Sequence, residues 1–427
     1  VTAGAVLAGG LFLLLLLAGL WIPFAVAVGA LLMLWEYGGW SAFRAIGFVA
    51  WGSLNSFTLT AIPLFLLMAE ILLRSGVGAR AYRGLGKVTG RLPGGLLQTN
   101  IAGCALFAAI NGSSVATAAT IGTVALPEMR SRGYDPGMAA GSIAAGGTLG
   151  ILIPPSIALI VYSTFTETSV SHLFAAGVLP GLLMTALFMS FIAWRAIRQP
   201  GTAPRAEADG RGIGAVAGDL LPFVLLIGVV LGSIYGGVAT PTEAAAVGVV
   251  GAFALAFLFG RCDVTVIGAA LAATVRITGS ILFIVLAAAL LSYCLGVTGI
   301  GRALTEWVVG LGMPRLAFVL TVVVLYILLG CIIDSLAMIV ITVPLLHPVL
   351  LAYGVDPVWF GVVLVILIEM GQITPPFGIN LFVIQGIGGG RFEDVATGAV
   401  PYVALMGVMI LLLIAFPAIA LWLPSRL

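Results

Sequence analysis

The sequence predicts an all-α polytopic membrane protein built from inverted repeats, each with a re-entrant helical hairpin and a broken transmembrane helix. Three observations predict it. The 427 residues are 61% hydrophobic and 8% charged, with a mean hydropathy of +1.23, a composition no soluble globular domain carries. A polar knot, Asn111-Gly112-Ser113-Ser114, stands between two short apolar segments, 96–110 and 115–129. A constant offset of 221 positions then carries one half of the chain onto the other.

The hairpin follows from length. At 1.5 Å rise per residue, a fifteen-residue helix covers roughly 22 Å, short of a ~30 Å hydrocarbon core. Two such helices joined by a polar tip enter and leave on one side. Irregular backbone at that depth survives only where protein buries it or where it lines a cavity. The offset is equally specific. Pro93 maps to Pro314, Ser114 to Ser335, Asp135-Pro136 to Asp356-Pro357 and Gly150 to Gly371. Pro154-Pro155 maps to Pro375-Pro376, Gly177 to Gly398 and Pro180 to Pro401. One offset serving all of these without a gap is an internal duplication.

In chain order, residues 1–56 hold two apolar segments, 3–20 and 22–36, split at Trp21-Ile22-Pro23, then an interfacial arm at 40–54 with Trp40, Arg44 and Trp51. The first core, 57–197, opens with a span at 57–73 and a basic loop at 74–91. It continues with the hairpin 96–129, a span broken at 150–155 (137–164) and a span at 173–195. A polar stretch, 198–217, links the copies. The second copy has spans at 219–235 and 242–260 and an arm at 263–276, so that 218–276 repeats the scaffold part. Its core, 277–427, has a span at 277–296, a hairpin at 316–348, a broken span at 357–385 and a last span at 396–422.

Basic residues set the orientation. Arg74, Arg80, Arg83, Lys87 and Arg91 put the 74–91 segment inside, and a re-entrant hairpin returns Arg130 and Arg132 to the same side. The 165–172 loop has no Lys or Arg, whereas Arg195, Arg198, Arg205 and Arg211 follow one crossing later, and Arg261 two spans after that. The second hairpin then opens on the outer face, flanked only by Arg302 and Arg315. So few ionisable residues exclude a nucleic-acid surface, and a net charge of +2 names no partner. Cys104, Cys262, Cys294 and Cys331 lack metal or redox spacing and read as small hydrophobes. The first stretch lacks a basic n-region and reads as a span, not a cleaved signal; the missing initiator Met points to an N-terminus upstream or processed.

The mirrored segments Gly150-Ile151-Leu152-Ile153-Pro154-Pro155-Ser156 and Gly371-Gln372-Ile373-Thr374-Pro375-Pro376 share one logic. Paired prolines remove donors and bar the preceding residue from α geometry, so each span unwinds. Unwinding frees carbonyls for a hard cation such as Na+ and exposes a positive helix start to an anion. A plain proline kink is the simpler alternative, but each break follows a polar-tipped hairpin. Asp135-Pro136 and Asp356-Pro357 raise the idea of an intramembrane aspartyl protease. Each sits in a Gly-x-Asp-Pro loop, however, where Asp caps a helix and Pro begins it. Asp334 at the second tip is open between cation ligand and tip-ordering acceptor. Glu369 reads first as pairing with a neighbour and second as a proton or cation sensor. Glu243 reads as a helix-start acid, and His172 and His347 as chemically idle.

Asn111-Gly-Ser-Ser-Val-Ala, Gly133-Tyr-Asp-Pro, Ile153-Pro-Pro-Ser, Ala239-Thr-Pro-Thr-Glu-Ala and Thr374-Pro-Pro-Phe-Gly-Ile-Asn-Leu-Phe-Val resemble the large membrane subunit of tripartite ATP-independent periplasmic (TRAP) transporters, over nearly the whole chain. The resemblance implies no enzyme but a sodium-driven, elevator-type importer in the bacterial inner membrane. Its coupling ion is Na+, with no organic cofactor. Its partners are a separate small four-helix membrane subunit and a periplasmic substrate-binding protein. Its solutes are organic acids such as C4-dicarboxylates, sialic acids and 2-oxo acids, or compatible solutes such as ectoine. A stand-alone sodium/dicarboxylate symporter of similar architecture is the alternative. Carried onto this chain, Na+ falls at Asn111, Gly112 and Ser114 with Thr148, Gly150 and Pro154, and at Asp334 and Ser335 with Gly371 and Thr374. The solute falls to Asn111, Ser113, Ser156 and Asn380.

Overall fold

The computed structural model describes residues 10–12, 14–15, 18–199, 201, 203–204 and 213–427. The described residues are helical, with turns and no strand. Most of the proposed first span (3–20) and half of the linker, with Arg205, Glu207, Asp209 and Arg211, lie outside them.

Both hairpins and both broken spans form. The first hairpin pairs Leu96–Asn111 with Ser114–Ser131, and the second pairs Arg315–Gly330 with Ser335–Ala352. Sixteen residues, the length of each leading helix, give about 24 Å, too short to cross. Pro136–Leu152 and Ile157–Thr166 are bent by 41° across the first break; Pro357–Gln372 and Ile379–Gly388 flank the second. Both Pro-Pro bonds, 154–155 and 375–376, are cis. Asp135 accepts Met138 N–H at 2.8 Å, and Asp356 accepts Val358 and Trp359 N–H at 2.8 and 3.0 Å. Each is therefore the N-cap of a Pro-initiated helix.

Packing shows that the copies are inverted. Gly137 and Gly141, in the first turns of Pro136–Leu152, lie against Gly398, near the start of Phe392–Ala415. That second helix ends at the opposite face, where its Leu413 carbonyl accepts the Trp359 indole N–H at 2.9 Å. Pro357–Gln372 therefore starts where Pro136–Leu152 does not. The hairpins follow suit. Leu96 N–H, at the foot of the first, donates to the Tyr134 hydroxyl at 3.1 Å, beside Asp135. Arg315, at the foot of the second, shares a surface recess with Asp356 and Trp359. Tyr134 also donates to Pro204 at 2.9 Å, and burial raises its phenol above the ordinary value, so it stays a neutral hydroxyl tying loop to hairpin. A side chain at Gly141 would run into the Gly398 carbonyl, so only glycine permits this crossing.

Three expectations need correction. The basic 74–91 segment is not a loop: Ala61–Arg74 bends by 70° into a helix, Val77–Thr89. It buries Val77, Ala81 and Tyr82 at helical spacing, while Arg80 and Lys87 pair with Asp219 and Arg83 is exposed. The arm at 263–276 and the span at 277–296 are one 35-residue helix, Val264–Thr298. The third is a further helix, Ile300–Gly310, between that span and the second hairpin. The 40–54 arm is present: Gly39 breaks the preceding helix at φ 52°, and Ile46–Leu54 follows a 3-10 turn. Trp40 and Trp51 are 73% and 72% exposed, available to a bilayer interface.

Candidate functional site

The first tip is shaped by backbone. Leu96–Asn111 ends at Gly112, which has φ 58° and so suits glycine. A Cβ there would lie 2.9 Å from the Pro155 carbonyl oxygen. Ser113 is extended and caps the next helix, accepting Ala116 N–H at 3.4 Å. Gly150 lies under Ser113: a Cβ on it would sit 2.7 Å from the Ser113 carbonyl oxygen. Tip one is thus seated on the first break.

It is also joined to the second. The Ser114 hydroxyl accepts from Asn380 Nδ2 at 2.6 Å and donates to Gln372 Oε1 at 3.3 Å. Gln372 closes the helix before the second break, and Asn380 lies in the first turn after it. The pairing is crossed at helix level as well. Ser114–Ser131 packs on Ile379–Gly388, and Ser335–Ala352 packs on Ile157–Thr166. The second hairpin touches its own break through Gly330 and Gly371, where a Cβ on Gly371 would meet Gly330 backbone at 2.5 Å.

Around this crossing, polar atoms are buried without partners. They are Asn111 Nδ2, Thr117 Oγ1, Gln372 Nε2, Asn380 Oδ1 and both carboxylate oxygens of Glu369. Glu369 is 1% exposed, beside the Ser114 hydroxyl and within electrostatic reach of Asp334. Neither of its carboxylate oxygens is hydrogen-bonded among the described residues, and the Ser114 hydroxyl is the neighbour beside it. Each orphaned buried group costs about 1–3 kcal/mol, so a cluster of them calls for a ligand or water.

The remaining predicted residues are engaged locally. Thr148 donates to Ala145 O and Thr374 to Met370 O, both at 2.6 Å, leaving their lone pairs free. Ser156, fully buried, caps the half-helix after the break by accepting Leu159 N–H at 3.4 Å. Pro154 lies in the cis Pro-Pro pair. Asp334 accepts Leu336 N–H at 3.2 Å, which is the tip-ordering role; Ser335, in the first turn of that helix, is 7% exposed. Glu243 completes a capping box with Thr240. The protease idea fails on geometry, because Asp135 and Asp356 cap helices that start at opposite ends of the fold. Gln372, Thr117 and Glu369, which the sequence does not single out as ligands, also lie in this cluster. The one available signal was the repeat, which aligns Glu369 with Thr148 and Gln372 with Ile151.

Inverted repeats meeting at two broken helices, with a buried polar cluster between them, define a membrane transporter of the discontinuous-helix kind. The family model described as "Tripartite ATP-independent periplasmic transporter, DctM component" matches residues 9–419. The C4-dicarboxylate TRAP transporter large permease protein of Pseudomonas aeruginosa is 36% identical, over 90% of each chain. The isethionate TRAP transporter permease protein DctMQ of Oleidesulfovibrio alaskensis is 31% identical over 97% of this chain and 65% of its own. The YdaH transporter of Alcanivorax borkumensis shares the fold, with a TM-score of 0.65 at 16% identity and 89% coverage of both chains. The chain belongs to the large permease subunits of TRAP transporters.

Proposed function

We propose that this permease imports an organic anion across the bacterial inner membrane, driven by Na+, taking the solute from a periplasmic binding protein and working beside a small membrane subunit. The observation that carries the reading is the Ser114 crossing, where one hairpin tip is bonded to both flanks of the opposite break. Orphan donors on Asn111 and Gln372 suit a carboxylate or sulfonate, and orphan oxygens on Asn380 and Glu369 suit a hard cation. Na+ would be held by the carbonyls at the two breaks with Asn111, Ser114, Asp334, Ser335 and Thr374. The relatives named for C4-dicarboxylate and isethionate support an anionic solute, and the longer chain of the second is consistent with a fused small subunit. The basic face at the foot of the first hairpin is the cytoplasmic one by the distribution of Arg and Lys.

The test is uptake into proteoliposomes holding both membrane subunits, with the loaded binding protein outside. Uptake should follow an inward Na+ gradient; uptake under a proton gradient alone would reject sodium coupling. We further propose that 96–164 and 316–385 slide as one unit past a scaffold holding 40–54 and Val264–Thr298. Separating the tips would strand partly desolvated ions, at a cost of several kcal/mol. A cysteine cross-link between the two hairpins should leave uptake possible, and one between a hairpin and the 40–54 arm should lock it. The reverse result would exclude an elevator.

A further inference from the structure

At the foot of the first hairpin a recess of about 770 Å³ opens between Val77–Thr89, the hairpin ends, Asp219 and Phe259. Its origin is in the sequence. The 77–89 helix turns Val77, Ala81 and Tyr82 inward, which leaves Arg80, Arg83 and Lys87 along its other side, with Arg91 just beyond. Arg132 adds a fifth cation from the hairpin, against two carboxylates, Asp219 and Glu128.

Those carboxylates are already taken. Asp219 holds Arg80 at 2.7 Å and Lys87 at 3.4 Å, and Glu128 holds Arg132 at 2.6 Å. Arg83 and Arg91 have no carboxylate partner among the described residues and are exposed. Five cations against two carboxylates leave the recess with a net positive field that favours an anion. The rim is of the opposite character: Val124 and Phe259 line the recess at 47% and 39% exposure.

We propose that this recess binds the phosphate of an anionic phospholipid, its acyl chains running over Val124 and Phe259. A guanidinium presents two N–H groups in the geometry of phosphate oxygens, and basic recesses between spans at the positive-inside face are lipid-headgroup sites. A soluble phosphate shares the headgroup chemistry but gains nothing from the apolar rim. The site is independent of the transport reading, since it uses none of the residues at the hairpin tips.

The test uses the full chain in a neutral detergent, titrated separately with phosphatidylglycerol, phosphatidylcholine, glycerol 1-phosphate and inorganic phosphate. Retained lipid is read by native mass spectrometry and stabilisation by the thermal midpoint. Phosphatidylglycerol should be retained and raise the midpoint, less so at high salt, and the other three should not. Arg83→Gln with Arg91→Gln should weaken phosphatidylglycerol binding about 30-fold, a factor of about five per arginine. Arg83→Lys with Arg91→Lys, which keeps charge and loses the fork, should fall between and carries the test if the first pair does not fold. Equal retention of phosphatidylcholine, unchanged binding by the glutamine pair, or saturation by glycerol 1-phosphate at the same concentration would overturn the proposal.

Discussion

In the first copy the hairpin tip reads Asn111-Gly112-Ser113-Ser114; in the second the same positions read Ile332-Ile333-Asp334-Ser335. Before the breaks the bias is reversed. Thr148 and Ile151 stand in the first copy where Glu369 and Gln372 stand in the second, and Leu159 after the break where Asn380 stands. The backbone devices have nevertheless stayed equal. Both copies keep the Asp-Pro cap, the glycine under the hairpin and the cis Pro-Pro pair. Duplication preserved what bends the chain and let side-chain polarity drift to one diagonal, from tip one to break two. Because the copies are inverted, that diagonal gathers the polar groups at one place in the molecule instead of two.

The largest expected effect tests the conserved part. A Cβ at Gly371 would meet Gly330 backbone at 2.5 Å, and one at Gly150 would meet the Ser113 carbonyl oxygen at 2.7 Å. Backbone cannot rotate away as a side chain can, so Gly371→Ala and Gly150→Ala should each cost about 3 kcal/mol. Thermal melts in detergent should show both well below wild type, with Gly386→Ala, where nothing lies within 4 Å, unchanged or slightly raised. Equal melts for all three would mean that the hairpins do not rest on the breaks.

The next effect tests the diagonal. Ser114→Ala removes both the Asn380 and the Gln372 hydrogen bonds and orphans more buried groups, at about 1–3 kcal/mol. No side-chain bond is made by Ser335 among the described residues, so Ser335→Ala should cost less than half as much. Ser114→Ala should also raise the Na+ concentration needed for half-maximal uptake more than Ser335→Ala does. Matching shifts from the two serines would restore symmetry between the tips and break the comparison.

Much of this frame was legible because Pro, Gly and Asp act locally. Pro154-Pro155, Pro375-Pro376 and the Asp-Pro caps announce a break or a start whatever surrounds them, so the breaks and hairpin limits lay close to their observed places. The crossing was not legible: Ser114 and Asn380 are 266 residues apart, and nothing near either names the other. The arm at 263–276 misled because the first copy has Asn55-Ser56, a turn-prone pair, where the second has Arg276-Ile277. With no breaker there, the helix runs on. The 77–89 helix was hidden by its charges, which mark the outer face of an amphipathic helix as readily as they mark a loop.

The smallest effect concerns the caps, where the copies differ by one hydrogen bond. Asp356 accepts two N–H groups, from Val358 and Trp359, whereas Asp135 accepts one, from Met138. Removing a capping side chain costs about 1 kcal/mol, so Asp135→Ala should lie near that value and Asp356→Ala somewhat above it. Asn offers the same acceptor oxygen and caps nearly as well as Asp, so either Asp→Asn change should cost only a few tenths of a kcal/mol. Uptake by both asparagine variants should stay close to wild type when corrected for folded protein. Loss of uptake in a stably folded Asp135→Asn or Asp356→Asn variant would show that the carboxylate charge does more than cap. It would also separate the two copies at a position where their backbones agree.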